Sequence, residues 1–89
     1  MHKIATIQGH VMSSVTVNDP ASLGQAIRKA RKALCITQEE LSLQTGISRT
    51  TIRAIEQGKQ TAHLGLVLQL CRDLGLTLTL SSAERVMTP

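Results

Sequence analysis

At 89 residues, with 42% hydrophobic and 18% charged side chains, the chain reads as one globular domain and is too short for two. It has no Phe, Tyr or Trp, which excludes the base-stacking platforms of single-stranded nucleic-acid binders and leaves any core to Leu, Ile, Val, Ala and Met. The formal net charge of +4 sits within residues 28–59, a concentration that fits either a polyanionic partner such as nucleic acid or a solvated helix face. There Arg28, Lys29, Arg31, Lys32, Arg49, Arg53 and Lys59 outnumber Glu39, Glu40 and Glu56. Residues 1–19 are rich in Val, Ile, Thr and Ser and lack helical periodicity. They read as a loose or strand-like arm, with Lys3–Ile7 and Ser14–Val17 as candidate short strands and Met12 as a second candidate start.

Asp19-Pro20 announces a first helix, an N-cap acceptor followed by Pro at the first helical position. Leu23, Ala26, Ile27, Ala30 and Leu34 recur at helical spacing as its inner stripe and turn Arg28, Lys29 and Lys32 outward. Thr37-Gln38-Glu39-Glu40 is a capping box that opens a second, short helix ending at Gly46. Ser48 caps a third helix carrying Ile52 and Ile55 and ending at Gly58. Thr61 is placed to cap a fourth, with Leu64, Val67, Leu68, Cys71 and Leu74 inward and Gly75 as its stop. After Gly75 the period changes to two. Leu76, Leu78 and Leu80 alternate with Thr77 and Thr79, which reads as a half-buried strand over residues 76–82, followed by a polar tail over 83–89.

Two short helices joined by Thr45-Gly46-Ile47 make a helix-turn-helix. The third helix then presents Ser48, Arg49, Thr50, Arg53 and Ala54 opposite Ile52 and Ile55, a short basic face suited to the major groove of DNA. An ordinary small bundle with a solvated third helix fits the same pattern.

Residues 23–59, LGQAIRKARKALCITQEELSLQTGISRTTIRAIEQGK, resemble the Xre/Cro/lambda-repressor family at Arg31, Thr37-Gln38, Leu41, Gly46, Ile52, Glu56 and Gly58. The resemblance implies an all-α, lambda-repressor-like helix-turn-helix domain (residues 20–75) that binds a palindromic double-stranded operator as a homodimer. It implies base contacts from Ser48, Arg49, Thr50 and Arg53. Backbone contacts are expected from Arg28, Thr37, Gln38, Thr51, Gln57 and Lys59, with Gln38 on a phosphate. Arg31 and Glu56 are expected to form a buried bidentate salt bridge. Cys35 stands where the family usually has Gly, so strain is expected there if a left-handed residue is required. One helix followed directly by LTLTL is similar to the HipB-type antitoxins, whose C-terminal strand pairs across the dimer. That similarity implies self-pairing of Leu76, Thr77, Leu78, Thr79 and Leu80, a HipA-type serine/threonine kinase toxin as partner, and autorepression of the operon. A stand-alone Xre-family regulator and a protein-interaction module with little DNA binding are the alternatives.

Other chemistries find no support in the sequence. No Gly-rich phosphate loop, HExxH, GxSxG or paired-carboxylate arrangement occurs, so an enzyme, a cofactor and a small-molecule substrate are not expected. Cys35 and Cys71 match no metal spacing with His2, His10 and His63, and read as two small buried hydrophobes without a disulfide. No apolar run spans a membrane, and Gln8 and His10 interrupt the N-terminal apolar stretch. A soluble cytoplasmic protein is expected.

Overall fold

The computed structural model describes residues 14–83. The candidate strand Lys3–Ile7, the alternative start Met12 and all but the first residue of the tail lie outside them. Four helices follow one another: α1 (Pro20–Ala33), α2 (Gln38–Thr45), α3 (Arg49–Glu56) and α4 (Leu64–Asp73). None of them is long and apolar enough to cross a membrane.

Local chemistry sets three of the four starts. The Asp19 carboxylate accepts from the Ser22 amide at 2.8 Å, while the Ser22 hydroxyl takes the amide of Asp19 in return. Thr37 and Glu40 form the reciprocal box expected of them, at 3.0 and 2.8 Å. The Ser48 hydroxyl accepts from the Thr51 amide. The fourth start departs from expectation. Helix α4 begins after His63, which makes no side-chain cap, and Thr61 lies in a turn two residues earlier. Ala62 packs against the core and holds the chain out of helical phase until His63.

Each helix sends one side chain to complete burial: Ile27 from α1, Leu41 from α2, Ile52 from α3 and Leu70 from α4. Around them close Ile47, Ile55, Val67, Cys71 and Leu74. Helix α1 packs chiefly on α3, α3 also on α2, and α4 against α2. Three expectations about this core are corrected. Leu64 and Leu68 are exposed, because the buried stripe of α4 runs Val67, Leu70, Cys71, Leu74, rotated toward Leu70. Leu34 is exposed, because α1 ends at Ala33 and the chain leaves the stripe there. Cys35 is exposed too, so only Cys71 is a buried hydrophobe, its thiol pushed up by burial.

Helices α1, α3 and α4 end alike. In each, two amides beyond the last turn reach back: Cys35 to Lys32 and Ile36 to Arg31, Gly58 to Ile55 and Lys59 to Ala54, Gly75 to Arg72 and Leu76 to Cys71. This pair of hydrogen bonds requires a left-handed residue between helix and exit. Glycine fills that place twice, at φ 88° and 77°, and Cys35 fills it once, at φ 60°. The strain expected from the sequence is therefore present. A side chain costs roughly 1–2 kcal/mol in that conformation, partly offset by the extra freedom glycine has when unfolded. Cys35→Gly is expected to raise the unfolding free energy by about 0.5–1 kcal/mol in denaturant titrations, and an unchanged midpoint would refute the assignment.

Among the described residues no strand forms. Ser14–Val17 is unpaired, and residues 76–80 leave α4 without a ladder inside the chain. Leu76 packs against the core, whereas Leu78 is 45% exposed and Leu80 fully so. A lone strand has nothing to pair with here. The expected pairing needs a second copy.

Candidate nucleic-acid interface

Helix α3 is short because Ser48 starts it and Gly58 stops it, and its two faces differ completely. Ile52 and Ile55 go into the core, while Arg49, Thr50 and Arg53 stand exposed on the opposite side. Ser48 is exposed beside them, but its hydroxyl is committed: it accepts from the Thr51 amide and donates to the Thr51 hydroxyl at 2.9 Å. Thr51 and Ala54 are half-buried and sit at the edge of the face.

The N-terminus of α2 adjoins this face. A cleft of about 530 Å³ is lined by Lys32, Thr37, Gln38, Glu39 and Arg49 together with Arg31, Cys35 and Ile36. The end of α1, the start of α2 and the first turn of α3 thus converge on one cleft. A helix start offers free amides and a partial positive charge to an anion, and Lys32 and Arg49 add full charges. Lys32 was not among the expected contacts, although it lines the cleft and its place in the last turn of α1, next to Arg31, was a usable signal. Arg28, Gln57 and Lys59 are exposed and lie outside this cleft.

The angle of α3 is held by a buried polar network. Arg31 donates from Nε to Glu56 Oε2 at 2.7 Å and from its second guanidinium arm to Oε1 at 2.9 Å. Its remaining arm donates to the Ile36 carbonyl at 2.8 Å. Both residues are at most 7% exposed, so the bridge expected from the sequence is buried and bidentate. Burial alone pushes the Glu56 carboxyl up. The hydrogen bonds from Arg31 and Gln38, with the charges of Arg31 and Arg28, override it and leave the group below the ordinary glutamate value. The hydrogen bonds it donates to Glu56 raise Arg31 further above its already high value.

Gln38 is part of this network. Its side-chain amide donates to Glu56 Oε1 at 3.0 Å, so in the free chain it is held inward by a carboxylate. In the first turn of α2 the Glu40 amide is taken by the Thr37 hydroxyl and the Leu41 amide by the Thr37 carbonyl. Sequence reasoning also missed Gly24. A Cβ there would meet the carbonyl oxygens of Ile55 and Glu56 at 2.4 and 2.7 Å, so only glycine lets α1 approach the end of α3 this closely. A glycine inside an otherwise regular helix, at a cost of about 1 kcal/mol, was the available signal.

Comparison with known proteins agrees with this geometry. The family model HTH_3, described as helix-turn-helix, matches residues 27–80. The HTH-type transcriptional regulator y4mF of Sinorhizobium fredii is 36% identical over 70 residues, covering 78% of this chain and 92% of that protein. An HTH-type transcriptional regulator of Methanothermobacter thermautotrophicus is 45% identical over 49 residues, 55% of this chain and 71% of that one. Among solved structures, HipB in a complex with an O4 20mer superimposes with a TM-score of 0.72 at 27% identity, covering 80% of this chain and all of that one. A HipA–HipB–O2–O3 complex contains a chain that matches with a TM-score of 0.72 at 25% identity, over 80% of this chain and all of that one.

Proposed function

The chain belongs to the Xre-type helix-turn-helix family of transcriptional regulators and is structurally close to HipB, and on that premise we propose that it is a sequence-specific repressor acting as the antitoxin of a toxin–antitoxin pair. The observation that carries the DNA reading is the exposed trio Arg49, Thr50 and Arg53 on a two-turn helix locked from behind by the Arg31–Glu56 pair. Arg49 reads guanine through two parallel hydrogen bonds, and Thr50 contacts a thymine methyl. Ser48 and Arg53 flank them. Arg28, Thr37, Gln38, Thr51, Gln57 and Lys59 position the domain on phosphates, which fixes register without reading sequence.

One such helix reaches only a few base pairs, so useful affinity needs two copies on a palindrome with half-sites about 34 Å apart. The dimer reading is supported by the apolar surface that a single chain leaves bare: Leu64 and Leu68 on α4, then Leu78 and Leu80 beyond it. Residues 76–80 of two copies, paired antiparallel about the dyad, satisfy each other's backbone groups and cover these leucines. The toxin partner, a HipA-type kinase, is supported by the likeness to HipB, which has been solved with HipA. Its docking surface is what DNA and the dyad leave over: the outer faces of α1 and α4, Thr77 and Thr79, and the two ends of the chain.

Selection of binding sites from a pool of randomised duplexes tests the DNA reading. A palindromic consensus, two chains per duplex and a steep loss of affinity with salt are expected. Arg49→Ala is expected to lose about 1–3 kcal/mol of discrimination between the selected duplex and a shuffled one of equal composition. No enrichment from the pool would leave the interaction-module reading instead. For the toxin, the chain is co-expressed with the product of its neighbouring gene; a neighbour that is no kinase, or does not bind, leaves the stand-alone regulator.

A further inference from the structure

The turn between α2 and α3 sets the direction in which α3 leaves α2. Its local bonds are few and all come from Thr45 and Gly46. The Thr45 hydroxyl donates to the Leu41 carbonyl at 2.8 Å and accepts from the Ile47 amide at 3.1 Å, and the Gly46 amide returns to the Ser42 carbonyl at 2.9 Å. That leaves the carbonyl of Thr45, one of the orphan acceptors at the end of α2. It is taken by a side chain from outside the motif. Gln69, in the middle of α4, donates from its Nε2 to the Thr45 oxygen at 3.0 Å.

This bond differs in kind from the rest of the α4 contact. Val67, Leu70, Cys71 and Leu74 hold α4 against the core by apolar burial, which is non-directional and tolerates a small rotation of either helix. A hydrogen bond to a carbonyl weakens steeply when its angle changes. Gln69 therefore fixes the orientation of the Thr45 peptide, and through Gly46 and the buried Ile47 the direction in which α3 leaves the turn. Gln69 lies 24 residues along the chain from the carbonyl it caps and does not line the cleft at the start of α2.

We propose that Gln69 is a positioning residue for DNA reading: it aims the recognition helix by capping the α2–α3 turn from α4. The inference rests on the DNA-binding reading above. Its chemistry is a single neutral donor on an unbranched side chain. A side chain of similar length without a donor removes the function, and a longer donor restores it. A residue that merely stabilised the fold would lower the unfolding temperature and leave the fully folded protein's selectivity intact.

The test measures affinity for the duplex selected by the wild-type chain and for its shuffled counterpart, at a temperature where circular dichroism shows every variant fully folded. The ratio of the two affinities cancels changes in net charge, since non-specific binding carries them equally. For Gln69→Met the ratio is expected to fall about tenfold, with shuffled-duplex affinity within about twofold of wild type. For Gln69→Lys, which keeps a donor within reach, the ratio is expected to stay within about twofold of wild type. A Gln69→Met ratio equal to wild type, or a Gln69→Lys ratio as low as that of Gln69→Met, overturns the proposal. If the wild-type chain itself selects no sequence, the DNA reading has failed before Gln69 is in question.

Discussion

Glu56→Ala is expected to cost about 3–5 kcal/mol, enough to leave a domain of this size largely unfolded. The reason is what remains behind. Arg31 is 7% exposed, two of its three guanidinium arms point at the vanished carboxylate, and the third is tied to the Ile36 carbonyl. A permanent cation is then buried with one neutral acceptor. Removing both charges together, as in Arg31→Met with Glu56→Leu, takes away the penalty and is expected to recover most of the loss, though not the aim of α3. Thermal and urea unfolding of the two variants check this; a Glu56→Ala loss well under 1 kcal/mol would end the buried-pair assignment. The same pair sets an acid limit. The folded-state carboxyls of Glu56 and Asp19 both lie below their ordinary values, so their stabilisation is complete above those values. It is lost as pH falls through the folded values. Unfolding midpoints are expected to be flat near neutrality and to drop in the acid range, and the drop from Glu56 disappears in the double variant.

Gly24→Ala is expected to be the second most damaging change, although alanine is the better helix former by about 1 kcal/mol. The new methyl would stand 2.4 Å from the Ile55 carbonyl oxygen, 2.7 Å from that of Glu56 and 3.0 Å from the Glu56 carbonyl carbon. All three atoms are backbone. They cannot step aside as a side-chain tip can, so α1 and the end of α3 must part. Overpacking of this sort costs typically about 1–3 kcal/mol, and here it also strains the Arg31–Glu56 bonds that join the same two helices. A net loss of about 2 kcal/mol is expected, with loss of discrimination between the selected and shuffled duplexes. Gly65→Ala is the control. Gly65 is exposed on α4, and a Cβ there meets only the His63 ring, at 3.3 and 3.4 Å. It is expected to be neutral or slightly stabilising. Equal behaviour of the two variants would refute a special close approach at Gly24.

How much of this was readable beforehand differs from residue to residue. Asp19-Pro20, Thr37 with Glu40, and Ser48 mark helix starts in the sequence and start helices in the structure, because a cap is a contract among residues three apart. Gly46, Gly58 and Gly75 mark ends for the same local reason, whereas Cys35 was singled out through family likeness, as a side chain where the family usually has Gly, and its φ is 60°. Arg31 and Glu56 were paired through family likeness, since 25 residues separate them and no local rule joins them. His63, and not Thr61, precedes α4 because Ala62 has a core to pack against.

Sequence by itself therefore determined the helices, the caps of the first three, the turn and the placement of charge, all of which are settled within a few residues of chain. Only the tertiary structure decided which face of an almost wholly apolar α4 turned inward, burying Leu70 and leaving Leu64 and Leu68 bare. It alone decided that Gln38 answers to Glu56, that Gly24 lies under the end of α3, and that Gln69 caps Thr45. Each of these depends on which distant element arrives opposite, and a periodicity of 3.6 names a stripe without naming what it will meet.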